Sequence, residues 1–198
     1  FFESPLDIAV NLGNLDIVRI LLNNRANSFE KNEFELTLLT AIRNNKVDIA
    51  QLLVENGATL NLERASNYLH RAIMDNEFQM AQFLLQIGAN INATDSYGMT
   101  PLNRAVKLKD TDIALLLIKN GATLTVEDAY ELFCDDNQDK YLKLARCLVQ
   151  NGVFLTTTAA TVLLDKAIYA NNVPMAQLLV KNGVALTAMY KSQLSAIT

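Results

Sequence analysis

A short motif recurs along the chain at nearly constant spacing. It centres on Arg25 in NNRAN and then on glycines at 57, 88, 121, 152 and 183, in ENGAT, QIGAN, KNGAT, QNGVF and KNGVA. The successive intervals are 32, 31, 33, 31 and 31 residues. A period of this length indicates a chain made of stacked copies of one small unit, because such a unit needs neighbours to cover its apolar faces.

Residues 95–122, DSYGMTPLNRAVKLKDTDIALLLIKNGA, are the most complete copy of the unit. Thr100 is placed to cap a helix and Pro101 to occupy its first position, where a missing N–H costs nothing. Apolar residues then recur at helical spacing in two groups, first Leu102, Ala105 and Val106, and then Ile113, Leu116 and Leu117. The unit is therefore predicted to contain two short helices. The second helix is predicted to end at Asn120 and Gly121.

The block SYGMTPLNRAV followed by IALLLIKNGA closely resembles the consensus of the ankyrin-repeat family. The resemblance implies an all-α, ankyrin-repeat solenoid of about six helix-turn-helix repeats with short hairpin-like connecting loops, forming one domain over residues 1–198. The predicted repeats are residues 1–28, 29–60, 61–91, 92–124, 125–155 and 156–186. Residues 187–198 are either the start of a seventh repeat or a capping helix.

The repeats vary in ways that carry structural predictions. Asn45, Asn76 and Asn171 stand where the first repeat has Gly13, so they are predicted to adopt the left-handed backbone conformation. A small residue also recurs at one place in the second helix and is expected to let neighbouring helices approach closely, at Ala50, Ala81, Ala114, Ala145 and Ala176. The fifth repeat fits only if about four residues are inserted near 137–140.

Composition excludes several classes of function. The net charge of −4 and a pI near 5.0 argue against a nucleic-acid binder, which needs an excess of cations. Cys134 and Cys147 are too few for a disulfide framework and are expected to be free thiols in a reducing compartment. No apolar run is long enough to span a membrane. Since the chain begins without Met and ends within what resembles a new repeat, it is expected to be a piece of a longer protein.

The sequence offers no set of residues from which to assemble an active site. His70 is the one histidine, and at this position it is expected to form a structural hydrogen bond rather than act as a base. Asp135 and Asp136 are expected to lie in a solvated loop, because a cation site needs several oxygen ligands around one point. We therefore expect no enzyme activity, no catalytic residue, no cofactor and no metal.

The family resemblance implies that first helices and connecting loops form a concave, partner-binding face. The exposed positions beside the recurring alanine of each first helix would line it, and Tyr97 would extend it as an aromatic anchor. An acidic segment of a protein partner would suit the cations of this strip, although a solvated helix face is the alternative interpretation. The predicted partner-binding residues are Arg43, Arg71, Asp75, Tyr97, Arg104, Lys107, Lys166 and Tyr169.

A second use of the repeats is also implied by the resemblance. Residues 84–92, LLQIGANIN, match the motif in which ankyrin-type repeats are hydroxylated on the last asparagine, here Asn92. The alternative interpretation is an asparagine with a purely structural role in a turn. Asn92 is therefore a candidate modification site only where the protein meets such an enzyme.

Three functions remain open on the sequence. The first is a protein-protein interaction module, expected to be monomeric and cytoplasmic. The second is a substrate-positioning region of a larger enzyme or secreted effector whose catalytic domain lies outside this chain, and the third is a spacer. The 21 asparagines against 7 glycines and the short repeats are similar to ankyrin proteins of intracellular bacteria and large viruses, in which case the host cytosol would be the site of action.

Overall fold

The structure, a computed structural model, describes residues 4–25, 31–123, 161, 164–165, 167–169 and 171–181. All regular secondary structure in these residues is helical, which confirms the predicted all-α class. The helices are α1 (Pro5–Leu12), α2 (Leu15–Arg25), α3 (Lys31–Arg43), α4 (Val47–Glu55), α5 (Leu62–Met74), α6 (Phe78–Gln86), α7 (Pro101–Lys107), α8 (Thr111–Lys119) and α9 (Val173–Lys181).

The chain divides into two compact units, residues 1–93 and 94–198. In the first unit, each helix packs on its partner across a short turn, α1 on α2, α3 on α4 and α5 on α6. The first helices α1 and α3 also contact each other, and the second helices contact in the order α2, α4, α6. The unit is thus two layers of helices, one made of first helices and one of second helices. In residues 94–198, α7 packs on α8 in the same paired manner.

Helices α1 and α7 each begin at a residue whose side chain caps the helix. Before α1, the Ser4 hydroxyl accepts a hydrogen bond from the Asp7 N–H at 3.1 Å, and the Asp7 carboxylate accepts one from the Ser4 N–H at 3.2 Å. Before α7, Thr100 Oγ1 accepts from the Asn103 N–H at 3.0 Å and Pro101 fills the first helical position, as predicted. Each cap satisfies N–H groups that have no partner within their helix.

The turns between paired helices use left-handed residues. Gly13 has φ of 71°, and Asn45, Asn76 and Asn171 have φ of 52°, 57° and 51°, which confirms the predicted substitution of asparagine for glycine. Asparagine tolerates this conformation better than most residues because its short polar side chain can bond locally. Lys109 takes the same place in the fourth repeat with φ of 60°, which its residue type did not predict.

The core lies between the two layers and consists of aliphatic side chains at helical spacing. The recurring alanines of the second helices that the structure describes, Ala50, Ala81, Ala114 and Ala176, are all buried. Their small side chains are in accord with the predicted close approach of neighbouring helices. Several earlier predictions fall outside the described residues, namely Ala145, the insertion near 137–140, both cysteines, Asp135, Asp136 and residues 187–198.

Candidate functional site

Exposed side chains flank the buried alanine of each first helix. In α1, Ile8 precedes Ala9 and Leu12 follows it by three residues, and these two apolar side chains are 46% and 74% exposed. In α3 and α5 the same positions, the second of them one residue beyond the helix end, hold polar or charged residues that are all at least partly exposed: Thr40 and Asn44, then Arg71 and Asp75. Since residues four apart share a side of a helix, each pair faces away from the core on one face. We call these six residues the first-helix face.

Arg43 and Arg71 provide cations on or beside the first-helix face. The Arg43 Nε donates to the Tyr68 hydroxyl oxygen at 3.1 Å, a contact from α3 to α5. The Arg71 Nε lies 3.3 Å from an Asp75 carboxylate oxygen, and both side chains are about half exposed. Because both side chains are half exposed, both groups are accessible to a partner. An exposed ion pair of this kind also contributes little to stability.

Glu77 lies two residues after Asp75, immediately before α6. Burial raises the pKa of the Glu77 carboxyl, and the negative charge of Asp75 raises it further, while the positive charge of Arg71 lowers it. The net effect is a pKa above its usual value. The ionised form of Glu77 is therefore less favoured here than in water.

In residues 94–198, a tight turn at 95–99 is built around the Asp95 carboxylate. Asp95 Oδ1 accepts hydrogen bonds from the Tyr97 N–H at 2.8 Å and the Met99 N–H at 3.0 Å. The Asp95 N–H donates to the Met99 carbonyl at 3.0 Å, and Gly98 closes the turn with φ of 73°. This turn has the character of the short hairpin-like connecting loops that the family resemblance implied.

Arg104 completes the turn instead of standing free on the helix surface. Its Nη2 donates to Asp95 Oδ2, and the two side chains are only 15% and 13% exposed. Its guanidinium carbon also lies 5.7 Å from the ring centroid of Tyr97, within the range of a cation–π contact. Arg104 therefore holds the turn and supports Tyr97, whose own ring is 79% exposed.

The Asp95 carboxyl has an acid–base property that follows from these contacts. Burial, the largest single influence, raises its pKa, but the hydrogen bonds from Arg104, Met99 and Tyr97 and the positive charge of Arg104 together outweigh it. The pKa of Asp95 consequently lies below its usual value. The ionised form is the one that the turn stabilises.

The remaining predicted site residues lie in different surroundings. Lys107 is exposed at the end of α7, and Tyr169 is 79% exposed. Lys166 lies outside the described residues. Two contacts that sequence reasoning missed, Tyr68 on Arg43 and Asp95 on Arg104, join residues whose pairing has no local signature.

The loop that carries Asn92 is fixed to α5. Ser66 Oγ accepts from the Asn90 N–H at 2.9 Å, and His70 Nε2 contacts the Ala93 carbonyl oxygen at 2.8 Å. This contact matches the structural role expected for His70, which is buried. Asn92 itself is exposed. Its backbone N–H donates a hydrogen bond to Asn90 Oδ1 at 3.0 Å.

The described part of the chain also bears on metal sites and membrane-spanning segments. Among those residues, no three His, Cys, Asp or Glu side chains come together in a way that could hold a metal ion. Nor does any helix in that part have the length and hydropathy to cross a membrane.

Paired short helices, left-handed turns and a period near 32 residues define a helical repeat protein. A family profile described as ankyrin repeats in three copies matches residues 2–64 and 38–128. The chain therefore belongs to the ankyrin-repeat family. Ankyrin repeats are in general protein-protein interaction modules, and the fold is typically a non-enzymatic scaffold.

Two ankyrin repeat proteins of fowlpox virus are similar in sequence. One is 39% identical over 119 residues, which are 60% of this chain and 22% of that protein. The other is 30% identical over 126 residues, 62% of this chain and 28% of that protein. The chain thus spans only about a quarter of the length of these curated relatives.

Solved structures with the same fold include an ankyrin repeat domain from Acinetobacter baumannii, with a TM-score of 0.59 and 19% identity, covering 90% of this chain and 97% of that one. The ankyrin repeat domain of Bcl-3, a member of the IkappaB protein family, has a TM-score of 0.50 and 23% identity, covering 77% of this chain and 87% of that one. At these identities the similarity establishes the fold alone, as an ankyrin-repeat solenoid.

Proposed function

We propose that the chain is a protein-protein interaction module that holds a partner protein on its first helices and on the turn that carries Tyr97. The observation that carries the proposal is the contrast between neighbouring positions of the first helices. Ala9, Ala41 and Ala72 are the same residue and buried, whereas the residues just before them are Ile8, Thr40 and Arg71. Folding requires the alanines but leaves the exposed positions free, so their diverse chemistry suits recognition.

The partner is proposed to be an acidic segment of another protein. Arg43, Arg71 and Lys107 are exposed cations on first helices of a chain whose net charge is −4. Arg104 contributes through Tyr97, because its own charge is largely engaged by Asp95. Exposed Tyr97 and Tyr169 supply rigid aromatic surface, and we extend the proposal to Asp75 and to Lys166 as sequence-based members of the site.

Reversing two exposed charges is expected to weaken partner binding without unfolding the protein. The Arg43→Glu/Arg71→Glu variant should lose about tenfold or more in affinity, equivalent to about 1.4 kcal/mol, because it would repel an acidic partner. Its thermal midpoint should stay close to that of the wild type, since both side chains are exposed. Affinity capture from a eukaryotic cytosolic extract, with retained proteins identified by mass spectrometry, measures the first effect.

Arg19→Glu is the matched control for that experiment. Arg19 is an exposed cation on α2, in the second-helix layer, so its reversal changes net charge without touching the proposed surface. A partner retained by the wild type and the Arg19→Glu variant but not by the double variant would support the proposal. Equal retention by all three proteins would contradict it and favour a spacer role.

A second candidate is a substrate-positioning region of a larger enzyme or secreted effector. The favouring observation is length, because the matched segments make up 22% and 28% of the two fowlpox relatives. We place the module in the cytosol, and in the host cytosol if the protein comes from an intracellular pathogen. A complete reading frame with a catalytic domain beside residues 1–198 would favour this candidate, whereas a frame of further repeats would count against it.

Two structural expectations accompany the proposal. We propose that residues 1–198 form one ankyrin-repeat domain with the six repeats given above and that the protein is a monomer. We also propose Asn92 as a hydroxylation site, because its side chain is exposed beside a loop anchored at Asn90 and Ala93.

Treatment with an asparaginyl hydroxylase is expected to add one oxygen atom to the peptide that contains Asn92. Tandem mass spectrometry should place the added oxygen at residue 92, and Asn92→Ala should abolish it. Asn90→Ala is a poor control because Asn90 shapes the loop, so Asn61→Ala, at the cap of α5, serves instead. An unmodified Asn92 under conditions that modify another ankyrin substrate would contradict the assignment.

A further inference from the structure

The first-helix face of residues 1–93 changes its chemistry in steps from one helix to the next. The pair on α1 is apolar, the pair on α3 is polar and uncharged, and the pair on α5 is charged. All three occupy the same positions, one before and three after the buried alanine. The members of this series are Ile8 and Leu12, Thr40 and Asn44, and Arg71 and Asp75.

Contacts between helices hold the three pairs in register. Asn44 Nδ2 donates to Asn11 Oδ1 at 3.1 Å, linking α3 to α1 beside the first-helix face. Arg43 Nε donates to the Tyr68 hydroxyl oxygen at 3.1 Å, linking α3 to α5. The three pairs therefore form one continuous surface within this unit, with a fixed order of chemistry.

The apolar end of this surface lies largely outside the core of the described residues. Leu12 is 74% exposed and Ile8 is 46% exposed, one helical turn apart on α1. Covering either side chain with a partner's apolar group would remove apolar surface from water, which favours binding. This end is suited to a residue such as leucine, isoleucine or phenylalanine.

The charged end is suited to a carboxylate. Arg71 uses Nε toward Asp75, and a guanidinium has five N–H donors, so donors remain for a second carboxylate. Arg43 lies on the neighbouring helix, so two exposed guanidinium groups stand near the carboxylates of Asp75 and the half-buried Glu77, and both have N–H donors left for a carboxylate from a partner. Together they favour an acidic side chain over a basic one at this end.

The distance between the two ends fixes a spacing in the ligand. Axes of packed helices lie about 8–10 Å apart, and α1 and α3 pack directly. The Arg43–Tyr68 and Arg64–Glu35 side-chain contacts join α3 to α5, and a second step of similar length places α1 and α5 about 16–20 Å apart. An extended chain advances about 3.3 Å per residue, so it passes from one first helix to the next in about three residues. A segment crossing all three helices would have its two anchoring residues about six positions apart.

We propose that the first-helix face binds an extended segment of a partner protein in which an apolar residue and an acidic residue stand about six positions apart, with a hydrogen-bonding residue midway. The inference rests on the proposed function and specifies its ligand. Thr40 and Asn44 bind the middle residue, Ile8 and Leu12 the apolar one, and Arg71 with Arg43 the acidic one.

Selection of random linear peptides displayed on phage, with the 198-residue chain as bait, tests this spacing. Enriched peptides are expected to share an apolar and an acidic residue about six positions apart. Synthetic copies of them should bind the Leu12→Lys and the Arg71→Glu variants at least about tenfold more weakly than the wild type. Changing the acidic residue of the peptide to lysine should restore binding to the Arg71→Glu variant.

Control variants separate failure of this inference from failure of the proposed function. Ile20→Lys and Arg19→Glu are the controls for Leu12→Lys and Arg71→Glu. They introduce the same charges at exposed positions of α2 and should leave peptide binding unchanged. Peptides that depend on Arg71 but not on Leu12, or that lack the spacing, would overturn the inference and leave the proposed function standing. Absence of enrichment would also overturn it. Peptides that bind all variants equally would overturn both.

Discussion

Replacing Ile49 with alanine is expected to lower the free energy of unfolding by about 3 kcal/mol, whereas Ile17→Ala is expected to cost about 1 kcal/mol or less. The two isoleucines are equivalent residues of consecutive second helices, 32 positions apart. Ile49 in α4 is 2% exposed, and Ile17 in α2 is 43% exposed. The change removes the same atoms in both variants, so the difference measures burial alone.

The packing of the second-helix layer accounts for this contrast. Within the described residues, α4 contacts second helices on both sides, α2 and α6, whereas α2 contacts only α4 in that layer. The residues three positions later in the same two helices show the same contrast, because Leu52 in α4 is buried and Ile20 in α2 is 59% exposed. Stability in such a stack comes from contacts between adjacent repeats, so a side chain with a neighbour on one side only contributes less.

Urea unfolding followed by circular dichroism measures both variants against the wild type. A cost at Ile17 equal to the cost at Ile49 would contradict the argument, because it would mean that the exposed face of α2 is covered in solution. Comparison at several protein concentrations then shows whether a second copy covers it, since self-association would make the cost depend on concentration.

Local chemistry accounts for the part of the fold that the sequence could predict. The period is set by the unit's own length, and the caps at Ser4 and Thr100 act within three residues of themselves. The left-handed turns at Asn45 and Asn76 follow from the residue's tolerance of that backbone. Lys109 departs from the rule because the position requires the turn whatever residue occupies it.

The surface was less predictable because exposure depends on residues distant in sequence. Arg71 and Arg104 precede equivalent alanines, and their sequence neighbourhoods give no reason to separate them. In the structure the Arg71 side chain is about half exposed, whereas Arg104 forms an ion pair with Asp95, nine residues earlier. A strip of exposed cations was therefore a reasonable prediction from spacing alone, but only contacts identify which cations have carboxylate partners in the fold. Lys107 is exposed, as that pattern predicted.

Removing the Asp95 carboxylate is expected to destabilise residues 94–198 by about 3 kcal/mol. Asp95→Ala would leave the largely buried Arg104 guanidinium without its ion-pair partner, and the N–H groups of Tyr97 and Met99 would lose their acceptor. Asp95→Asn should cost less, because its oxygen can still accept from the backbone. Urea unfolding measures the loss, and faster hydrogen exchange at Tyr97 and Met99 should accompany it.

Two further variants locate the cause of that loss. Asp112→Ala removes an exposed carboxylate of α8 in the same unit and should cost at most about 1 kcal/mol. Arg104→Met combined with Asp95→Ala should be less destabilising than the sum of the single changes, because the double variant has no buried charge left unpaired. Strict additivity would contradict an energetic role for the ion pair.

Acid provides an independent test of the same carboxylate. Because the pKa of Asp95 is lower in the folded protein than in the unfolded chain, its contribution is complete above the unfolded value of about 4 and is lost as the pH falls through the folded value. The stability difference between wild type and Asp95→Asn should therefore shrink as the pH falls from about 5 toward 2. Glu77 acts with the opposite sign, since its raised pKa favours the folded state in acid, but it is present in both proteins and cancels in the difference. A difference that stays constant over this range would mean that the Asp95 charge does not stabilise the turn.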